Sequence, residues 1–423
     1  MHAPEDRAKP YGPPFWFAYA ANTLAMVAIA LLFRYADFVM VLGGTELHLG
    51  WIVGVGMFGS LAMRLAMGVG IDRYGPPRVW LASILTLALV CFAHLAVTDY
   101  ANPPIYLLRI LYCCAIAGIF GASITFISDG VPPERIAEMI GMLGTSGFLG
   151  QVLGTQVGDL LLGGETIGRD QVDQMFLVAG LLALCSAVFV FLATRTHRHD
   201  PHEQPPAVLT LLRQYQPGAV LITGVAMGIG IGLPMVFLRT YAAELGLPRI
   251  GLFYGAYAPA ALLTRLLTRR WPQRYGTKLM ILLGLGLMAF SQLLFLVVRT
   301  EWSLIVPAIG YGCGHAVLFP SVIAAGNASF PRAHRGLGTA LMLGTFDLGQ
   351  LVGAPLAGVI LHQSGRIGWP SYPTLFVSMA VLLGGIAAVY AIATRRANPP
   401  IDPDRPKRQQ PADPMADPMA LAR

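Results

Sequence analysis

Twelve apolar runs, near residues 15–42, 51–71, 79–98, 104–128, 137–163, 174–194, 217–241, 250–268, 279–298, 302–328, 337–361 and 373–393, leave this chain one solvent in which to fold. Each run is about 20 residues or longer, enough to cross a hydrocarbon core of about 30 Å as a helix. A helix satisfies every backbone N–H and C=O within the segment, which lipid cannot do. Composition agrees, since 55% of the residues are hydrophobic and 12% charged, where soluble domains carry about 25% charge. The expected fold is an all-α integral membrane protein with twelve spans.

The spans come in two matching sets. Residues 64–75 read RLAMGVGIDRYG and residues 265–276 read RLLTRRWPQRYG, an offset of 201. Residues 142–151 (MLGTSGFLGQ) are echoed at 342–350 (MLGTFDLGQ), and Tyr112, Cys114 and Phe120 are echoed by Tyr311, Cys313 and Phe319. Span 2 therefore matches span 8, span 4 matches span 10, and span 5 matches span 11. The implied organisation is a leader 1–14, a six-helix bundle 15–194, a polar linker 195–216, a second bundle 217–393 and a tail 394–423 whose Pro, Asp and Arg content reads as disordered. Six spans per copy give both copies one orientation, the parallel repeat of transporters that bind substrate between two halves.

Basic residues orient the bundle. With the N-terminus cytoplasmic, 20 of the 29 Lys and Arg fall on the inner side, against five outside and four within spans. Positive charge stays inside, so both termini are expected in the cytoplasm. The net charge of +7 then reflects topology, and no nucleic-acid partner is implied. No cleavable signal peptide is expected, because the first apolar run is too long for a signal core. The five cysteines lack disulfide spacing. No phosphate-binding loop is present, so ATP does not drive the protein. HRHDPHE (197–203) matches no closed metal site. No cofactor, metal or catalytic residue is expected.

GVGIDRYGPPRV (68–79) resembles the loop signature of the major facilitator superfamily, and WPQRYGTK (271–278) is its second copy, with Gln273 where the first has Asp72. YLLRILYCCAIAGIFGA (106–122) resembles the span-4 signature with its buried arginine, at Arg109. GTSGFLGQVLGTQVG (144–158) looks like the glycine-rich span-5 signature of antiporters without its Gly-Pro, and 311–321 with 335–358 is similar to bacterial sugar and drug efflux members. The resemblance covers about residues 15–395. It implies two six-helix halves rocking about a substrate site, with spans 1, 4, 7 and 10 lining the cavity and spans 2, 5, 8 and 11 at the seam. It also implies that Asp72, Arg73, Gly75, Arg78 and Arg274 form a cytoplasmic loop latch, with Asp72 near the N-terminus of span 11.

Charges within the bilayer are the sharper signal, because each costs at least about 2.5–3.5 kcal/mol at a helix centre unless paired or wet. Arg34, Arg64, Arg109, Arg265, Asp37 and Asp347 are of this kind. Arg64 and Asp347 lie at similar depth on spans 2 and 11, so a pair between them is expected when the cytoplasmic side is closed. Arg265 faces Gly147 and Phe148 at the matching place and has no acid. Arg34 and Asp37, at i and i+3, are expected to pair, with Arg109 as a second cation on Asp37. Asp347 and Asp37 are the proton-coupling candidates. Arg34, Asp37, Arg109, Tyr112, Tyr257, Arg265, Tyr311 and His315 are the candidates for the central cavity. The Gly228–Pro234 run predicts a weakened helix, and glycines 144, 147, 150, 154 and 158 with 344, 349, 353 and 358 predict close helix faces.

The resulting expectation is a monomeric multi-pass transporter of a bacterial inner membrane, with no enzymatic activity. It exports a small organic solute in exchange for protons by alternating access. An anion carrier that clamps nitrate or a carboxylate with Arg64 and Arg265, and a non-transporting receptor or assembly component, are the alternatives.

Overall fold

The computed structural model describes residues 11–129, 131, 135–164, 167–195, 208–331 and 334–395, and the regular structure in them is helical. Twelve long helices follow one another: α1 (Pro13–Leu31), α2 (Glu46–Tyr74), α3 (Pro76–His94), α4 (Pro103–Asp129), α5 (Ile136–Leu162) and α6 (Arg169–Thr194) make one half. The other holds α7 (Val220–Glu244), α8 (Gly251–Thr268), α9 (Thr277–Leu294), α10 (Ile305–Asn327), α11 (Arg335–Arg366) and α12 (Ser371–Ala393). Ten of them are long and apolar enough to cross a membrane. The other two, α5 and α8, are less apolar because they carry Gln156, Asp159, Tyr254, Tyr257 and Arg265. A short helix, Val208–Gln214, stands where the sequence predicts only linker. The HRHDPHE stretch and the tail beyond residue 395 lie outside the described residues.

The repeat is legible in the backbone. Gly75 joins α2 to α3 at φ 80°, ψ 153°, and Gly276 ends the WPQRY turn before α9 at φ 81°, ψ 154°. Both lie in the region that glycine alone enters at no steric cost. Packing repeats too: α1 lies on α5 and α6, α2 on α4, α8 on α10, and α9 on α10 and α12.

The halves meet along two seams, α2 against α11 and α5 against α8. Their contact is closest on the face away from the chain ends, here the far face. A Cβ added at Gly50 would lie 2.5 Å from the Ala354 carbonyl oxygen, and one at Gly358 would lie 2.8 Å from that of Glu46. On the terminus side the helices part. A Cβ at Gly141, Gly144, Gly147 or Gly336 would meet nothing within 4 Å. The far face is thus closed and the terminus side open. Gly50→Val overfills the closed seam, at a cost of about 1–3 kcal/mol, and should push the far ends apart. Pulsed EPR between labels at Thr45 and Glu244 is expected to read a longer distance. An unchanged distance would contradict this account of closure.

The glycine run of α7 packs closely and does not break the helix, which continues through Pro234. A Cβ at Gly228 would lie 2.0 Å from the Phe346 carbonyl oxygen, and one at Gly232 2.9 Å from Gln350, so small residues let α7 approach α11. Pro234 has no N–H for the Gly230 carbonyl four residues earlier. The Tyr311 hydroxyl donates to that carbonyl instead.

Candidate functional site

Leu32–Arg34 is a 3-10 turn between α1 and the helix Tyr35–Val41, and it brings Arg34 and Asp37 together at the far end of the first half. Arg34 is 1% exposed. Its Nε donates to Asp37 Oδ2 at 2.7 Å, Nη1 to Asp159 Oδ1 at 3.2 Å, and Nη2 to the Leu162 carbonyl at 2.9 Å. Asp159 accepts from the backbone N–H of Ile250 at 3.0 Å and of Gly251 at 2.6 Å, placing an anion on the N-terminus of α8 in the other half. Arg239, on α7, meets Asp37 Oδ1 at 2.9 Å. Two arginines and two aspartates therefore tie the halves together at the far face.

This corrects the sequence reading in two respects. Arg34 and Asp37 are spent on the far-face network and do not line a central site. The second cation on Asp37 is Arg239, which the charge count places outside the membrane, and not Arg109. Arg109 is 8% exposed and lies between aromatic rings, 4.6 Å from the centroids of both Tyr35 and Tyr112. Its Nε and Nη1 have no hydrogen-bond partner among the described residues. Sequence reasoning missed Arg239 and Asp159 because both stand at the ends of apolar runs, where charge usually meets water. The available signal was that Asp159 is an acid four residues inside the apolar run 137–163.

Near mid-helix Arg64 and Asp347 form an ion pair across the α2–α11 seam, through Arg64 Nε and Asp347 Oδ2. Ser60 donates to the same oxygen at 2.6 Å and Arg64 Nη2 to Oδ1 at 3.3 Å. Asp347 is 3% exposed. The pair exists while the terminus side stands open, whereas the sequence predicts it for the closed terminus side. Arg64 and Asp347 lie about 15 and 18 Å from the terminus-side ends of their helices at 1.5 Å per residue.

The matching seam has no acid at this depth among the described residues, its Asp159 standing at the far face. Arg265, half-buried on α8, lies over the Phe148 ring of α5 at 5.8 Å, with its Nε buried and without a partner. Arg64 and Arg265 thus belong to different seams. Beside Arg265, the Tyr257 hydroxyl and His315 Nδ1 are hydrogen-bonded, and their rings stack 5.9 Å apart. Phe319 stands 5.5 Å from the His315 ring and Phe148 6.4 Å from the Tyr257 ring. Tyr112 and Tyr311 are buried with their hydroxyls on the carbonyls of Ile29 and Gly230, which makes both structural ties. Of the cavity candidates, Arg265, Tyr257 and His315 gather in one cluster, while Arg34 with Asp37 and Arg109 with Tyr112 gather elsewhere.

In the loop signatures, Arg73 and Arg274 are exposed and each lies over the ring of the next residue, Tyr74 at 5.3 Å and Tyr275 at 5.2 Å. Arg78 is exposed as well. The Asp72 side chain lies outside the described residues, and with it the proposed latch to span 11.

A family model described as Major Facilitator Superfamily matches residues 15–271 and 220–421. The staphylopine export protein of Staphylococcus aureus is 22% identical over 368 residues, 82% of this chain and 87% of that protein. Multidrug resistance protein 1 of Bacillus subtilis is 25% identical over 185 residues, so the match spans 43% of this chain and 46% of that protein. Among solved structures, the nucleoside transporter NupG superposes with a TM-score of 0.73 at 14% identity, covering 91% of this chain and all of that one.

Proposed function

The chain belongs to the major facilitator superfamily, as a multi-pass membrane transporter, and from that premise we propose that it exports a small organic solute in exchange for protons. The observation that carries the proposal is Asp347, a carboxylate buried in the membrane interior whose partner, Arg64, comes from the other half. Ionised, Asp347 holds α2 against α11. Protonated, it loses the charge that binds Arg64, so proton occupancy changes the energy of the seam itself. A group of this kind can link proton movement to alternating access. The export direction draws support from the names of two relatives, one a multidrug resistance protein and one an export protein.

The Lys and Arg distribution supports cytoplasmic termini, so the open side described above would face the cytoplasm, as for an exporter awaiting solute. A bacterial inner membrane and a monomer complete the reading, with residues 15–194 and 217–393 as the two moving bundles. A clamp of Arg64 and Arg265 on one anion draws no support from this geometry, since Arg64 is engaged by Asp347 in the other seam.

Transport in proteoliposomes under an imposed pH gradient tests this, with organic cations, sugars, amino acids and small anions as the panel. Wild type is expected to concentrate at least one solute at the expense of the gradient. Asp347→Asn, which cannot titrate, is expected to lose that gradient dependence while retaining solute exchange. Indifference of the wild-type flux to the gradient would refute proton coupling.

A further inference from the structure

Charge balance in the membrane interior separates two cations from the rest. Five arginines (Arg34, Arg64, Arg109, Arg239, Arg265) stand there with three aspartates (Asp37, Asp159, Asp347). Asp347 neutralises Arg64, and Asp37 with Asp159 neutralise Arg34 and Arg239. Among the described residues, Arg109 and Arg265 are left without a carboxylate. Arg109 is enclosed by the rings of Tyr35 and Tyr112, whereas Arg265 is half-buried at a seam whose terminus side is open.

Among the described residues, the surroundings of Arg265 offer it no acid. Neither α8 nor α10, which pack on each other, contains an Asp or Glu. Among the described residues of α5, across the seam, Glu138 accepts from Tyr11 and lies 3.8 Å from Arg135, while Asp159 belongs to the far-face network. Along the α5 axis both are about 15 Å from Phe148, over which Arg265 lies. The repeat sharpens the contrast, because Asp347 in MLGTFDLGQ occupies the place that Phe148 holds in MLGTSGFLGQ. One seam meets its arginine with a carboxylate and the other with an aromatic face. A cation–π contact offsets only part of the cost of taking an ion out of water.

We propose that Arg265 is the binding point for an organic oxyanion, a carboxylate or sulfonate on a flat apolar body, which is the solute this protein carries. The oxyanion takes the two terminal nitrogens of the guanidinium fork, whose geometry suits two parallel hydrogen bonds to such a group, while the buried Nε stays behind them. The apolar body lies against the partly exposed Phe148, His315 and Phe319, with the buried Tyr257 stacked behind His315. Entry is from the terminus side. This inference rests on the transporter reading and narrows its solute, but it does not depend on proton coupling.

The test is equilibrium binding to purified protein without a pH gradient, using three probes with one ring system: 2-naphthoate, 2-naphthamide and 2-naphthylmethylammonium. Intrinsic fluorescence and the ligand-induced shift in Tm are the readouts. Binding of 2-naphthoate is expected, with the amide and the ammonium at least about tenfold weaker. Arg265→Gln should weaken 2-naphthoate at least about tenfold, and Arg265→Lys should restore part of the loss, since it keeps the charge without the fork. Ligand-free Arg265→Gln should melt at or above the parent temperature, because it removes a cation that has no partner. The proposal is overturned if 2-naphthoate does not bind, if the ammonium binds as well, or if Arg265→Gln leaves affinity unchanged. A ligand-free Arg265→Gln that melts well below the parent would make Arg265 a structural group and overturn it equally. The pH-gradient experiment reads Asp347 and not Arg265, so either proposal can fail alone.

Discussion

Arg64→Gln alone is expected to destabilise the protein by about 3–5 kcal/mol, because it leaves the Asp347 carboxylate buried with Ser60 as its remaining donor. Asp347→Asn alone should cost less, since Arg64 is partly exposed and can extend toward water along its aliphatic stem. The double variant Arg64→Gln/Asp347→Asn is expected to recover most of the loss, as two neutral side chains strand no charge. Thermal unfolding in one detergent, with all four proteins side by side, gives the coupling energy directly. Additive losses, with no recovery in the double variant, would mean that the ion pair does not hold this seam.

The second large effect concerns the far face. Arg239→Gln removes the one cation that crosses from α7 to Asp37, while Arg34 keeps its bonds to Asp37 and Asp159 within the first half. The variant should therefore remain folded yet open more readily on that face. A hydrogen bond to a charged group contributes about 1.5–3 kcal/mol, so the open population is expected to rise about ten- to a hundredfold. Phe33 reports on this, since its ring packs 5.1 Å from that of Tyr254 across the seam. A single cysteine at Phe33, in a background without the native thiols, should label faster with a membrane-impermeant maleimide applied from the far face. Equal labelling rates with and without Arg239 would remove the network from the closure mechanism.

The two predictions differ in how far the sequence anticipates them. Arg64 and Asp347 stand out because charge is rare in apolar runs, and their depths match when counted from loop signatures that the repeat aligns. Their pairing is thus nearly a one-dimensional inference. Arg239 and Asp159 sit at run ends, where a charge is ordinary, so hydropathy gives no reason to bring them inside. The 3-10 turn at Leu32–Arg34 adds a further rotation that periodicity does not foresee. Tyr311 shows the same limit, since an aromatic on a cavity-lining helix reads as a ligand until the carbonyl freed by Pro234 accounts for its hydroxyl.

Hydropathy, the repeat at 201 residues and the loop glycines determined by themselves that this chain crosses the membrane as two parallel six-helix halves. Those features are local, and lipid leaves the backbone no alternative to helices. The three-dimensional arrangement alone decided which arginine meets which acid, because each residue turns about 100° round its helix and a partner is chosen by rotation and crossing as well as depth. It decided, too, that Arg265 meets a phenylalanine where its counterpart meets an aspartate. That leaves a cation beside an open seam, where we expect the solute to bind.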